Sequence, residues 1–437
     1  MSTRADELVA VPSRTLWGRV LELRRHSTHS RLLSGSTTML VGSALVSLLN
    51  FGYNVAVARL LGPAEYSHAA AAVTLLMLAS CINLAFQLVT AKLIARSEDT
   101  AVRAGVYMTL LRRAWMVGIA LSTTLMFAAG PISQYLRLPS PIFIVVLAIG
   151  MLFYVPLGAK RGGMQGTCKF GRLATSLSSE SAIKLVSAVA LVLLGTGVLG
   201  AVIGISVSVI AAYLLPAADK ELRTEDARRT PASFMEALQA ITFFVGQVII
   251  NNIDILMVKH FFRADLAGLY AAVALVGRLL YFASWSVTSA MFPLSAGEQD
   301  ELGSRRVLIF SLSFVAGLSV IFVAFLATFP HFVIQTLFGA GFHLANTNVE
   351  GLLTMNALAM AIYAVSVVLI TYEMSRRVAN TAWFQLLVSG AIVLGIYSYH
   401  SSLMQVIIVQ QVLRVGLLIA VSAPFFRKSA AYSEEAA

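Results

Sequence analysis

Five ionisable side chains stand inside stretches that are otherwise apolar: Glu180, Lys184, Asp254, Arg278 and Arg414. A charge at the centre of a hydrocarbon layer costs roughly 2.5–3.5 kcal/mol or more, so each must face a partner or a polar interior. Glu180 and Lys184 are four residues apart, on one helical face and with the acid first, the order in which each best neutralises the other. Arg278 and Arg414 have no such neighbour in sequence. An anionic ligand, a backbone carbonyl or an acid from another segment are the ways to satisfy them. Asp254 is a candidate for titration, for cation binding, or for a fixed salt bridge to Arg278. Arg59 and Lys259 are candidates for the rim of an outward opening, with interfacial anchoring as the plainer role.

Other chemistries have little to work with. His331 and His343 show neither metal-ligand spacing nor an evident carboxylate partner, so no metal site is expected. Cys81 and Cys168 form neither a disulfide framework nor a cluster. No phosphate-cradling glycine loop occurs, and the "GTG" of Gly195–Gly197 reads as a tight turn, which argues against direct ATP coupling. We expect no cofactor and no enzymatic activity.

The elements that position these residues follow from composition. The chain has 437 residues, 58% hydrophobic and 12% charged, where a soluble domain carries about 25% charged residues. Apolar stretches of the roughly 20 residues needed to cross a membrane recur along almost all of it. They lack the polar alternation of barrel strands, so the fold is all-α and polytopic. The net charge of +11 does not indicate nucleic acid, because its cations are dispersed between apolar spans.

Twelve transmembrane helices are predicted, near 37–58, 68–91, 114–130, 141–159, 174–195, 197–216, 238–258, 269–292, 307–329, 352–372, 382–399 and 403–425. Short cytoplasmic loops retain Lys and Arg. With this count, 25 of the 32 cations fall on one side. Both termini are therefore expected in the cytoplasm.

A displacement of 200 residues lays "NVAVARLLGPAEYSHAAAAV" (Asn54–Val73) over "DILMVKHFFRADLAGLYAAV" (Asp254–Val273) without a gap. Arg59 then meets Lys259, and Glu65 meets Asp265. Each half holds an even number of spans, so the two enter the membrane in the same direction, as parallel six-helix bundles. The expected organisation is a basic cytoplasmic tail (1–35), an N-terminal bundle (36–217), a charged cytoplasmic linker (218–235), a C-terminal bundle (236–426) and a short cytoplasmic tail (427–437).

"LLNFGYNVAVARLLGPAEY", "FFRADLAGLYAAVALVGRLL" with the following Phe292 and Pro293, and "LFGAGF" (Leu337–Phe342) resemble the polysaccharide transporter family. That family lies within the multidrug, oligosaccharidyl-lipid and polysaccharide exporter superfamily. One departure is Ser67, where family members usually have glycine after the "EY" pair. The resemblance implies a flippase of the inner (plasma) membrane that serves cell-surface polysaccharide biosynthesis. Its substrate would be a polyprenyl-pyrophosphate-linked oligosaccharide, moved by alternating access among membrane lipids, with glycan polymerase machinery as a candidate partner. Arg278, Arg414 and Lys184 then become candidate contacts to the anionic substrate. Asp254 and Glu180 become candidates for coupling to a proton or sodium ion, or for salt bridges. The alternative is a cation-coupled multidrug exporter of the same superfamily, whose cavity would be acidic. A membrane glycan polymerase or ligase normally needs a large outward loop, which this sequence lacks.

Overall fold

A computed structural model describes residues 27–97, 99–215, 222, 234–297, 301–344, 347–376 and 382–435. In chain order the helices are α1 (Ser27–Arg96), α2 (Thr100–Phe127), α3 (Ala129–Tyr135), α4 (Ile142–Gly166), α5 (Phe170–Leu191), α6 (Gly197–Leu214) and α7 (Phe234–Phe261). They continue as α8 (Ala264–Gly297), α9 (Glu301–Thr328), α10 (Pro330–Leu337), α11 (Val349–Arg376), α12 (Ala382–Ser398) and α13 (Leu403–Glu435). No strand occurs among the described residues. A helix pairs its backbone groups internally, which is what lipid requires.

The 70 residues of α1 are two helices joined at Gly62, whose backbone is non-helical (φ 73°, ψ 173°). Glycine adopts positive φ without steric cost, and Pro63 restarts the helix where its missing N–H would have had no partner. Glu65 follows in the first turn, where the helix dipole favours an acid. The arms are residues 27–61 and 63–96. At the foot of α5 the "GTG" stretch forms the expected turn, with Gly195 and Gly197 both at positive φ.

Eight described segments are long and apolar enough to cross a membrane. Two of them, Val41–Arg96 (56 residues) and Phe170–Leu214 (45 residues), each cover two crossings. At 1.5 Å per residue the first would extend roughly 84 Å if straight, against a core of about 30 Å. With α7 and the shorter apolar α12 these make the twelve expected spans, among the described residues.

Some boundaries move. The third span begins as helix at Thr100, capped by the Asp99 carboxylate, which accepts from the Ala101 N–H. Arg103, Arg112 and Arg113, read from sequence as loop, therefore ride on α2. Likewise Lys160 and Arg161 are buried within α4 instead of lying in the loop after it. The basic tail up to residue 26, and the linker apart from Leu222 and its end from residue 234, lie outside the described residues.

In the first half α4 packs on α1 and α2, and α5 on α6; in the second, α11 packs on α8, α9 and α13, and α12 on α7. Small residues permit this closeness, as is usual between helices in lipid. On α4, a Cβ at Gly158, Gly162 or Gly166 would lie 2.3, 2.4 and 2.7 Å from the carbonyl oxygens of Asn83, Gln87 and Ala91. The halves meet through α1, which packs against α7 and α8. The helical break at Gly62 recurs after Phe261, between α7 and α8, at the position that the 200-residue displacement makes equivalent.

Candidate functional site

The polar core of the second half is built on one face of α7, where Gln247, Asn251 and Asp254 follow at i, i+4 and i+7 and are all buried. Asp254 Oδ2 accepts from the Tyr270 hydroxyl at 2.8 Å. Its other oxygen, Oδ1, lies 3.7 Å from Nη2 of Arg278, an ion pair without a hydrogen bond. Tyr270 and Arg278 stand two turns apart on α8. The Tyr270 oxygen accepts from Gln410 Nε2 at 2.7 Å, and Gln410 Oε1 accepts from Arg414 Nη2 at 3.0 Å. Arg414 Nη2 also donates to the Ile250 carbonyl at 3.1 Å, and its guanidinium carbon lies 5.6 Å from the Tyr363 ring centroid. The network continues through Gln385 Nε2, which donates to the Tyr363 hydroxyl, and through the Tyr281 ring stacked on Tyr363.

Two guanidinium groups thus face one carboxylate, leaving this core with an excess positive charge. Nε and Nη2 of Arg278, and Nε and Nη1 of Arg414, have no hydrogen-bond acceptor among the described residues. Buried donors of this kind are costly unless matched.

The first half has its own polar core. Lys184 donates to Asn50 Oδ1 and lies over the Tyr53 ring, 5.3 Å from its centroid. Asn50 Nδ2 donates to Ser181 Oγ at 3.2 Å, and the Tyr53 hydroxyl to the Ala201 carbonyl at 3.2 Å. The expected pairing of Glu180 with Lys184 is not what forms. Glu180 instead accepts from Arg161 Nη2 at 2.6 Å, and Arg161 also binds the Ser176 carbonyl and hydroxyl. The arginine fork reaches several acceptors at once from α4, which a lysine one turn along the same helix does not match. Arg161 was missed because it stands beside Lys160 at the end of an apolar run and reads as a loop cation. Asn50 and Asn54, polar and four apart within an apolar stretch, were a signal that was not taken up.

At the ends where α1 turns, Arg59 Nη2 donates to the Thr336 carbonyl at 2.5 Å, and Lys259 Nζ to Ser67 Oγ at 2.7 Å. Lys259 is almost fully buried, whereas Arg59 is exposed. Nearby, His331 Nε2 pairs with Glu350, correcting the expectation that it has no carboxylate partner. No group of three or more His, Cys, Asp or Glu side chains arranged to hold a metal ion occurs among the described residues.

A family model for polysaccharide biosynthesis proteins matches residues 56–346. The chain belongs to this family. The match takes in α2 to α10 and most of α1, so it covers the turn at Gly62, the first polar core apart from Asn50 and Tyr53, and the second apart from the part formed by α11 to α13. No curated protein sequence matches the chain.

Among solved structures, an inward-facing multidrug resistance MATE family transporter of the MOP superfamily shares 14% identity, covers 90% of this chain and 98% of its own, and has a TM-score of 0.72. An outward-facing conformation of such a transporter shares 15% over 94% of this chain and 98% of its own, with a TM-score of 0.60. A MOP superfamily transporter from Pyrococcus furiosus, described by the reverse polarity of its binding pocket, shares 16% over 95% and 98%, with a TM-score of 0.59. At these identities the likeness establishes a shared fold. This polysaccharide biosynthesis protein is therefore a multi-pass membrane protein with the two-bundle architecture of those transporters. Of its seven predicted site residues, Asp254, Arg278 and Arg414 come together in the second half. Lys184 and Glu180 lie in the first, each with a different partner.

Proposed function

We propose that the chain is a flippase that moves a polyprenyl-pyrophosphate-linked oligosaccharide from the cytoplasmic to the outer leaflet of the cytoplasmic membrane. Membership of a polysaccharide biosynthesis family supports the glycan. The observation that carries the reading is the charge of the interior. Lys160, Arg161, Lys184, Lys259, Arg278 and Arg414 are buried or nearly so, against only Glu180, Asp254 and Glu373 among the described carboxylates. An anionic headgroup crossing a low-dielectric layer needs such walls, whereas a cationic drug needs acidic ones.

In this reading Arg278 and Arg414 take the pyrophosphate, with Lys184 supplying a second positive station across the interface. The bundles at 36–217 and 236–426 rock as bodies about the linker, with both termini in the cytoplasm, as the Lys and Arg distribution favours. Asp254 acts mainly as the internal partner of Arg278 and Tyr270. The test is a leaflet-resolved assay of lipid-linked glycan in a deletion strain. Accumulation in the inner leaflet is expected. Unchanged glycolipid with raised drug sensitivity would favour the multidrug exporter instead.

A further inference from the structure

We infer that Arg59 and Lys259 are reciprocal positioning residues that latch the outer end of the path shut. The inference rests on the transport reading above, and on the orientation implied by the cation distribution. The two residues are 200 positions apart and equivalent in the repeat, and each crosses to the opposite half. Arg59, at the end of the first arm of α1, donates to the carbonyls of Thr336 and Gln335, at 2.5 and 3.5 Å. Both lie in the last turn of α10, where the helix dipole favours a cation; the Gln335 carbonyl also accepts from the Gly339 N–H at 3.1 Å, so Thr336 is the main acceptor. Lys259, at the end of α7, donates back to Ser67 in the second arm of α1. Ser67 Oγ gives its own proton to the Ala64 carbonyl, so the serine oxygen is free to accept the lysine.

Packing around the two bonds agrees. The Tyr66 and Phe342 rings meet edge to face at 6.1 Å across the halves. His260 stacks on Tyr135 with centroids 3.9 Å apart, and its Nδ1 donates to the Tyr135 carbonyl at 2.7 Å. The described hydrogen bonds and ring contacts that join the halves gather at this end. Near the other end, the bonds from Arg161 to Glu180, from Lys160 to the Tyr213 carbonyl and from Ser304 to Tyr372 each stay within one half. Opening outward must therefore break both charge-assisted bonds, and their strength sets the balance between the two states.

A reporter cysteine at Asn54, in a background with Cys81→Ser and Cys168→Ser, tests this. Asn54 lies about 7 Å, five residues, inward of Arg59, and its side chain accepts from the Tyr66 hydroxyl. A membrane-impermeant maleimide is applied to intact cells carrying the parent, Arg59→Gln, Ser67→Gly, or both. Labelling is expected to rise about threefold in each single variant and about tenfold in the double. Arg263→Gln, whose arginine is exposed and pairs with Asp265 within its own half, should leave labelling at the parent rate. Arg59→Lys should restore part of the protection. Parent-rate labelling in the double variant, at normal protein level, overturns the latch. Labelling needs no substrate, so it separates failure of the latch from failure of the flippase reading, which the glycolipid assay decides.

Discussion

Arg278 Nη2 and Asp254 Oδ1 stand 3.7 Å apart, while the other Asp254 oxygen is held by the Tyr270 hydroxyl. The carboxylate is thus shared between an ion pair and a hydrogen bond, in a core that still carries one cation too many.

Asp254→Asn removes the only carboxylate of this network among the described residues and leaves its two arginines without that counter-charge. Breaking a buried pair from one side costs about 3–5 kcal/mol, because the remaining charge stays uncompensated. A large fall in the midpoint of thermal unfolding in detergent is expected. Adding Arg278→Met should recover much of it, because the second charge leaves as well. A double variant no more stable than Asp254→Asn alone would show that the pair is not what holds Asp254.

Arg278→Met and Arg414→Met should each lower glycan export. A hydrogen bond to a charged group contributes about 1.5–3 kcal/mol, so a loss of roughly tenfold to a hundredfold is expected at equal protein levels. Arg414→Lys should remain impaired, since an ammonium cannot bind Gln410, the Ile250 carbonyl and an anion in one plane. The measurement is the rate at which glycolipid reaches the outer leaflet. Full export by both methionine variants would remove the cationic-site proposal.

Much of this architecture was legible because the bilayer reduces the choice of structure to a few lengths and periods. Span count and helical class follow from apolar run length and from the placement of Lys and Arg, and the 200-residue repeat was read from the gapless match of residues 54–73 with 254–273. The partners of Glu180 were not legible. Helical spacing offers Lys184, but α4 brings Arg161 closer, and only tertiary packing decides between them. The same holds for Lys259. Its place at the end of a span reads as an interfacial cation, and only the approach of α1 supplies Ser67 as acceptor. Ser67 itself was noted as a departure from the family glycine, with no function visible until its partner was in view.

Gly268→Ala should disturb the junction of the halves. A Cβ there would stand 1.7 Å from the Pro63 carbonyl oxygen, too close for any rotamer change to relieve. Forcing an extra methyl into a packed site costs about 1–3 kcal/mol. Lower thermal stability is expected, together with faster labelling of the Asn54→Cys reporter. Gly317→Ala, with open space around its Cβ position, is the matched control and should change neither.

A double-mutant cycle at Arg161 and Glu180 measures the other buried ion pair among the described residues. Their side chains are only 4% and 13% exposed, and the 2.6 Å contact is reinforced by the Ser176 carbonyl and hydroxyl. Glu180→Gln leaves Arg161 with neutral acceptors, and Arg161→Met leaves the carboxylate without its cation. Each should destabilise the protein in thermal unfolding. If the two groups act on each other, the double variant will be more stable than the sum of the single losses, by roughly 0.5–3 kcal/mol. Additive losses would mean that Arg161 acts through Ser176 alone. Glu180→Gln should in that case leave α4 and α5 as firmly joined as in the parent.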